Sequence, residues 1–155
     1  MVYISGATGT GKTRGVLEKN GYSNVYRVTD YLHPFDSYNG QPVIAFDEFR
    51  SSLRIKEMLL FCDIYPIELP SRYTNKYACY NKVYIISNWS LEKQYYEVQK
   101  DDKESWEASV YFGIGQNKLR ELTNSDSCPY VIWCGNKRLI KRKLFLEYSE
   151  KMYSI

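Results

Sequence analysis

A run of eight residues near the start of the chain has the spacing of a phosphate-binding loop. It reads Gly6-Ala7-Thr8-Gly9-Thr10-Gly11-Lys12-Thr13, which fits the pattern G-x-x-x-x-G-K-[ST]. Glycines in this pattern adopt positive φ angles that turn successive backbone N–H groups toward a phosphate. Lys12 would place a cation on the β- and γ-phosphates, and the hydroxyl of Thr13 would be a ligand for Mg²⁺. The loop therefore predicts binding of a nucleoside triphosphate with Mg²⁺.

Polar residues with complementary chemistry follow two apolar runs further along the chain. Asp47 and Glu48 end the first run, and Asn88 ends the second. A nucleoside triphosphatase needs one carboxylate for Mg²⁺ and another to orient or deprotonate the attacking water, and Asp47 and Glu48 fit these roles. An amide at Asn88 could hydrogen-bond the γ-phosphate and the water. The structural alternative is that two apolar strands simply leave the core through polar residues.

These groups meet only if the apolar runs are neighbouring parallel strands. Composition and periodicity predict strands at residues 1–5, 24–28, 43–48 and 82–88, and helices at residues 13–20, 53–63 and 101–110. Residues 128–134 form another strand-like run, followed by a Gly135-Asn136 turn and a basic final helix or strand. Strands alternating with helices predict an α/β fold with a mostly parallel sheet. The carboxyl ends of such strands lie at one edge and carry the functional residues.

The composition indicates one reduced, intracellular domain. The chain has 155 residues and contains no stretch of 18 apolar residues, the length needed to span a membrane. Its four cysteines lack metal-binding spacing and lie far from the single histidine, His33. The net charge is +3, and residues 130–155 hold six basic and two acidic residues. This basic end favours either contact with phosphates or a solvated helix face.

The order of these motifs resembles that of superfamily 3 helicases. More closely, it is similar to the helicase domain of Rep proteins, the rolling-circle replication initiators of circular single-stranded DNA viruses and related plasmids. Between Asp47-Glu48 and Asn88, residues 63–73 are similar to the family's D-x-Y-P segment, and residues 82–88 match its third motif. The resemblance covers about residues 2–112.

The resemblance implies a fold and an activity. It implies a P-loop NTPase core of three layers, AAA+-like, over residues 1–112. The length of the chain and the basic end then predict that residues 113–155 are a basic extension of the same domain. It also implies an ATP-driven motor that uses Mg²⁺ and forms a homo-oligomeric ring around single-stranded DNA, with RNA as the alternative polymer. The family grips its polymer with a hairpin between the second and third motifs. The matching candidates here are Arg72, Tyr73, Lys76 and Lys82.

Two departures from the family pattern leave other functions open. The sequence begins at the first helicase strand, which predicts that this polypeptide has no nicking activity. An arginine pair that follows the Trp106 region in the family is missing, and Arg50, Arg54 or Arg120 could replace it. The alternatives are an ATP-binding assembly module with weak hydrolysis and an unrelated phosphate-loop enzyme such as a kinase. The expected location is the cytoplasm, or a host nucleus for a eukaryotic virus.

Overall fold

Short strands alternate with helices over the first 116 residues. In chain order the elements are β1 (Val2–Ser5), α1 (Lys12–Asn20), β2 (Val25–Val28), β3 (Val43–Phe46), α2 (Ile55–Phe61), β4 (Glu68–Leu69), β5 (Lys76–Tyr77), β6 (Lys82–Ser87) and α3 (Lys100–Phe112). Single 3-10 turns lie at Tyr22–Asn24 and Leu91–Lys93. The computed structural model describes residues 1–63, 65–98, 100–124, 128–134 and 137–153. The chain divides into two units, residues 1–116 and 117–155.

The centre of the first unit is a four-stranded sheet in which all neighbouring strands are parallel. The strand order is β1-β6-β3-β2, so the two strands that lead to Asp47 and Asn88 are adjacent. All four residues of β3 are buried, as a strand covered on both faces requires. The alternation of β-strands and helices thus produces the predicted α/β fold with a parallel sheet.

Helices cover both faces of this sheet. On one face, Phe46 and Ile85 belong to a core that includes Met58 of α2 and Trp106 of α3. On the other face, the alternate strand residues pack with Val16 of α1. Successive strand residues point to opposite faces, so one apolar run supplies both cores. The result is the three-layer arrangement of a P-loop NTPase.

The elements around the sheet differ in length from the sequence expectations. The strand predicted at residues 43–48 ends at Phe46, so Asp47 and Glu48 lie in the turn beyond it. Helix α2 is shorter than residues 53–63, whereas α3 extends beyond residues 101–110. The predicted hairpin exists as β4 and β5, which pair antiparallel over two residues each. Pro66 and Pro70 border β4, and proline cannot donate a ladder hydrogen bond, which keeps the strand short.

The second unit has its own small core. It contains most of α4 (Gln116–Leu122), then β7 (Val131–Cys134), β8 (Lys137–Ile140) and α5 (Arg142–Tyr153). β7 and β8 form an antiparallel hairpin. The Gly135-Asn136 turn predicted between them lies outside the described residues. The basic final segment is therefore a strand followed by a helix. Phe145 of α5 is fully buried against Tyr130, with ring centroids 5.1 Å apart.

The helices of the described residues are short. The longest, α3, has 13 residues. In that part of the chain, none of the helices combines the length and the apolar character needed to cross a lipid bilayer.

Two glycines should respond in opposite ways to substitution by alanine. Gly15 lies on the exposed surface of α1 with open space around its Cα, so Gly15→Ala should stabilise the protein by about 0.5–1 kcal/mol. A Cβ on Gly115 would lie 2.8 Å from the Cα of Asp63, so Gly115→Ala should destabilise it. Urea unfolding followed by circular dichroism measures both changes. Equal midpoints for the two variants would contradict the close approach of Gly115 to Asp63.

Candidate functional site

The phosphate loop joins the end of β1 to the first turn of α1. Gly9 and Gly11 have φ angles of 82° and 80°, in the left-handed region that favours glycine. Gly11 is also the N-cap of α1, so the loop amides and the positive end of the helix dipole face the same place. The glycines predicted from the sequence therefore have the backbone geometry that an anion site requires.

The ammonium group of Lys12 closes over the loop. Its Nζ donates hydrogen bonds to the carbonyl oxygens of Gly6 at 2.8 Å and Ala7 at 2.7 Å, and lies 3.5 Å from Oγ1 of Thr10. The Thr10 hydroxyl also donates to the Ala7 carbonyl, at 2.9 Å. The compact cation of Lys12 thus lies above the loop, where it can neutralise the charge of a bound phosphate.

A buried carboxylate connects the loop to the end of β3. Asp47 is 1 % exposed, and its Oδ1 accepts hydrogen bonds from the Thr13 hydroxyl at 2.8 Å and the Glu48 N–H at 3.0 Å. The structure therefore brings together the two residues predicted to hold Mg²⁺. A hydroxyl and a carboxylate are hard oxygen ligands, and Mg²⁺ takes its remaining ligands from phosphate and water. The residues present fit a nucleotide-bound Mg²⁺.

Arg27 is a site residue that the sequence reading missed. Its Nε lies 2.5 Å from Oδ2 of Asp47, and the guanidinium side chain is 49 % exposed while the carboxylate is buried. Arg27 lies on β2, which pairs in parallel with β3. Its side chain therefore reaches Asp47 in the turn after β3. The available signal was a single basic residue in an otherwise uncharged strand, and it became informative only once β2 was known to neighbour β3.

Tyr31 holds the backbone of the same turn. Its hydroxyl donates a 2.7 Å hydrogen bond to the carbonyl oxygen of Asp47. Burial, reinforced by the negative charges of Asp47 and Glu48, raises the pKa of Tyr31. The phenol therefore remains protonated and keeps its role as a hydrogen-bond donor throughout the physiological range.

Arg50 links the two other predicted catalytic residues. Its Nη2 lies 3.6 Å from Oε2 of Glu48, and its Nε donates a 3.1 Å hydrogen bond to Oδ1 of Asn88. Glu48 has a φ of 52°, a left-handed conformation that is uncommon outside glycine. The Glu48 side chain is 60 % exposed and that of Arg50 is 48 % exposed, so both can reach a ligand. Of the three arginines proposed to replace the missing pair, Arg50 is the one that contacts the site.

A buried polar network fixes the backbone beneath these side chains. The Gln94 side chain is fully buried, and its amide nitrogen donates to the Ser87 hydroxyl at 3.0 Å and to the Phe49 carbonyl at 3.1 Å. The Ser87 hydroxyl itself donates to the Phe49 carbonyl at 2.6 Å. The Tyr3 hydroxyl donates to the Trp89 carbonyl at 2.9 Å. The ends of β1, β3 and β6 are thereby held together where the site residues emerge.

Two of the predicted nucleic-acid contacts are occupied in anchoring the hairpin. Arg72 pairs with Asp36 through its Nε at 2.5 Å and also donates its backbone N–H to Oδ1 at 3.1 Å. The backbone N–H first, and then the guanidinium, hold the pKa of Asp36 below its ordinary value. Lys76 donates through Nζ to the carbonyl oxygens of Asp36 and Tyr38 at 2.7 and 2.6 Å.

The other two predicted contacts face the solvent. Tyr73 is 88 % exposed at the turn between β4 and β5, and the Arg72 guanidinium lies 5.9 Å from the centre of its ring. Lys82 is exposed at the start of β6, opposite the sheet edge that carries Asn88. All four residues stay predicted contacts; the structure gives Arg72 and Lys76 an additional structural role.

The ion pair at Asp47 should matter far more for stability than an exposed pair on α1. Arg27→Gln leaves a buried carboxylate without its charged partner. Because the guanidinium is half-exposed, we expect the free energy of unfolding, measured in EDTA to exclude bound metal ions, to fall by about 1–3 kcal/mol. Arg14→Gln is the matched control, because Arg14 and Glu18 are both exposed, and we expect a change within about 0.5 kcal/mol. Urea unfolding measures both. Equal losses would contradict the special position of Arg27.

Comparison with known proteins agrees with this arrangement. The model of the RNA helicase family matches residues 2–88, which run from β1 through the phosphate loop and Asp47-Glu48 to Asn88. No individual curated protein matches the chain significantly. The family match covers more than half of the sequence and implies a helicase-type function with nucleotide and nucleic-acid binding. The chain belongs to the RNA helicase family.

Proposed function

We propose that this protein is an ATP-dependent helicase or translocase domain of the superfamily 3 type, acting on single-stranded DNA in rolling-circle replication. The observation that carries the proposal is the 2.8 Å hydrogen bond between Thr13 and Asp47. It joins the phosphate loop to the acidic turn across 34 residues of sequence, as a shared Mg²⁺ site requires. The family match supports the helicase assignment, and the resemblance to Rep proteins favours DNA.

The proposed mechanism gives each residue one task. The loop amides and Lys12 bind the β- and γ-phosphates, and Lys12 exchanges the Gly6 and Ala7 carbonyls for phosphate oxygens when ATP enters. Bound Mg²⁺ would neutralise charge that develops on the phosphates, and Thr13 and Asp47 are its protein ligands.

We assign the hydrolytic step to the exposed carboxylate of Glu48 and the half-buried amide of Asn88. Glu48 orients the attacking water and accepts its proton, while Asn88 hydrogen-bonds the water or the γ-phosphate. Arg50 already contacts both residues, so its guanidinium is placed to stabilise transition-state charge. A movement of Arg50 away from Glu48 would release the base.

The proposal extends to partners and location. We propose a homo-oligomeric ring that encircles the strand, with Tyr73 of the hairpin and Lys82 at the start of β6 as solvent-facing contacts. Arg72 and Lys76 would contact backbone phosphate only in addition to their bonds to the 36–38 segment. The basic residues 113–155 would extend the same domain. A replication protein of this kind would act in the cytoplasm, or in a host nucleus for a eukaryotic virus.

ATP turnover with and without single-stranded DNA tests this function. Lys12→Ala should abolish ATP binding and turnover, because the phosphates lose their cation. Glu48→Gln should retain ATP binding but lower turnover by about 10²–10⁴-fold, because the water loses its base. Lys19→Ala is the matched control on the same helix, far from the loop, and should turn over ATP normally.

The same assay separates the competing functions. Stimulation of ATP turnover by DNA but not by RNA of equal length supports the proposal. Stimulation by RNA alone would show that the polymer substrate is RNA. ATP binding without turnover under any condition would indicate an assembly module. Phosphate transfer to a nucleoside or another metabolite would indicate a kinase. A protein that stays monomeric with ATP during size-exclusion chromatography would contradict the ring.

A further inference from the structure

A groove of about 840 Å³ lies between the turn after β3 and the segment after β6. Residues 50–57 form one wall and residues 89–98 contribute the other. We refer to it as the basic–aromatic groove. Its cationic side chains are Arg50, Arg54, Lys56 and Lys93, and its exposed rings are Trp89 and Tyr96.

The charge of the basic–aromatic groove favours an anionic ligand. Four cations face two carboxylates, those of Glu57 and Glu97. Oε2 of Glu57 also accepts a 3.1 Å hydrogen bond from the Arg54 N–H at the start of α2. The groove therefore concentrates a net charge of +2 in a chain whose total is only +3. A row of phosphates is complementary to such a surface.

The exposed rings provide the second property needed to bind single-stranded nucleic acid, a surface on which unpaired bases stack. Tyr96 is 82 % exposed and Trp89 is 37 % exposed, although both are large aromatic side chains. Every base has a flat π-face, so exposed rings bind unpaired bases with little regard to sequence. Rings interleaved with cations are the combination by which proteins bind single strands, whereas a duplex keeps its bases stacked inside.

The groove is held open by bonds between its walls. The Ser51 hydroxyl accepts the Tyr95 N–H at 2.7 Å and donates to the Gln94 side chain at 2.9 Å. The Tyr95 hydroxyl donates to the Leu53 carbonyl at 3.0 Å. Ser51 and Tyr95 have φ angles of 55° and 53°, so two left-handed residues meet at this junction. Such conformations persist where the surrounding structure fixes them, and they cluster at ligand sites.

We propose that the basic–aromatic groove binds single-stranded nucleic acid, with bases stacked on Trp89 and Tyr96 and phosphates on Arg54 and Lys93. This inference rests on the proposed function and adds a binding surface separate from the β4–β5 hairpin. Arg50 belongs both to the groove and to the contacts with Glu48 and Asn88. A phosphate bound by Arg50 would compete with Glu48 for the guanidinium. Strand binding would thereby free the catalytic base.

Fluorescence anisotropy on the whole chain tests the groove. The probes are fluorescein-labelled oligo(dT) and oligo(U) of about 12 nucleotides, a length within the usual site size. For single strands, the slope of log K against log salt changes by about 0.7 for each phosphate contact. The double variant with Arg54→Gln and Lys93→Gln should therefore have a shallower slope, reduced in magnitude by about 1.4. Arg14→Gln combined with Lys19→Gln, on α1, is the charge-matched control and should leave the slope unchanged.

Tryptophan fluorescence provides an independent readout of stacking. The chain has three tryptophans, and Trp106 is fully buried. In a Trp133→Phe background, Trp89 is the remaining exposed tryptophan, so an oligonucleotide in the groove should quench its emission. Tyr96→Ala in the same background should weaken binding at least tenfold without removing the reporter. An emission unchanged at saturating oligonucleotide would overturn the groove assignment.

The outcomes distinguish this inference from the proposed function. Each variant is also titrated with a fluorescent ATP analogue, which reports whether the phosphate loop is folded. If the groove variants bind ATP normally and their oligonucleotide affinity is unchanged, the groove proposal is overturned. If Tyr73→Ala and Lys82→Gln then lower the oligonucleotide affinity, the strand binds instead at the hairpin and the start of β6. Failure to hydrolyse ATP with either polymer, despite groove binding, contradicts the motor alone. The oligonucleotide that binds more tightly, oligo(dT) or oligo(U), identifies the polymer, and weaker binding of that oligonucleotide by the groove variants supports the groove.

Discussion

The candidate site depends on one buried carboxylate. Asp47 accepts hydrogen bonds from Thr13 and from the Glu48 N–H and pairs with Arg27, so it joins three separate parts of the chain. A buried carboxylate without such partners would strongly destabilise the fold. The parallel register of β1, β6, β3 and β2 brings these partners to one edge of the sheet. Stability and the proposed nucleotide chemistry therefore rely on the same few contacts.

Local backbone conformation aims the groups that must reach a ligand. Glu48, Ser51 and Tyr95 all have positive φ angles, although none of them is glycine. The buried network around Gln94 and Ser87 compensates by satisfying the backbone groups beneath these turns. Uncommon conformations beside a candidate site are typical of residues held for function rather than for packing.

The two basic surfaces of the first unit differ in how their cations are used. On the hairpin, Arg72 and Lys76 bind Asp36 and nearby carbonyls, so a good part of their hydrogen-bonding capacity serves the fold. Beside the candidate site, Arg50 instead joins Glu48 to Asn88 and borders the basic–aromatic groove. A strand in that groove would have a direct physical connection to the proposed catalytic base, because one guanidinium cannot fully serve a phosphate and a carboxylate together.

The sequence alone determined the phosphate loop, the acidic pair and the parallel α/β sheet, because glycine spacing and uniformly apolar runs are local properties. It also placed Asn88 at the end of a strand next to the site. It did not reveal Arg27, whose importance depends on β2 lying beside β3. It named Arg50 only as one of three candidate arginines, because the contact of Arg50 with Asn88 joins residues that are distant along the chain. Nor did it distinguish a lysine anchored to carbonyls from one that faces the solvent. Only the tertiary structure decided these points, since burial and pairing are properties of neighbours in space.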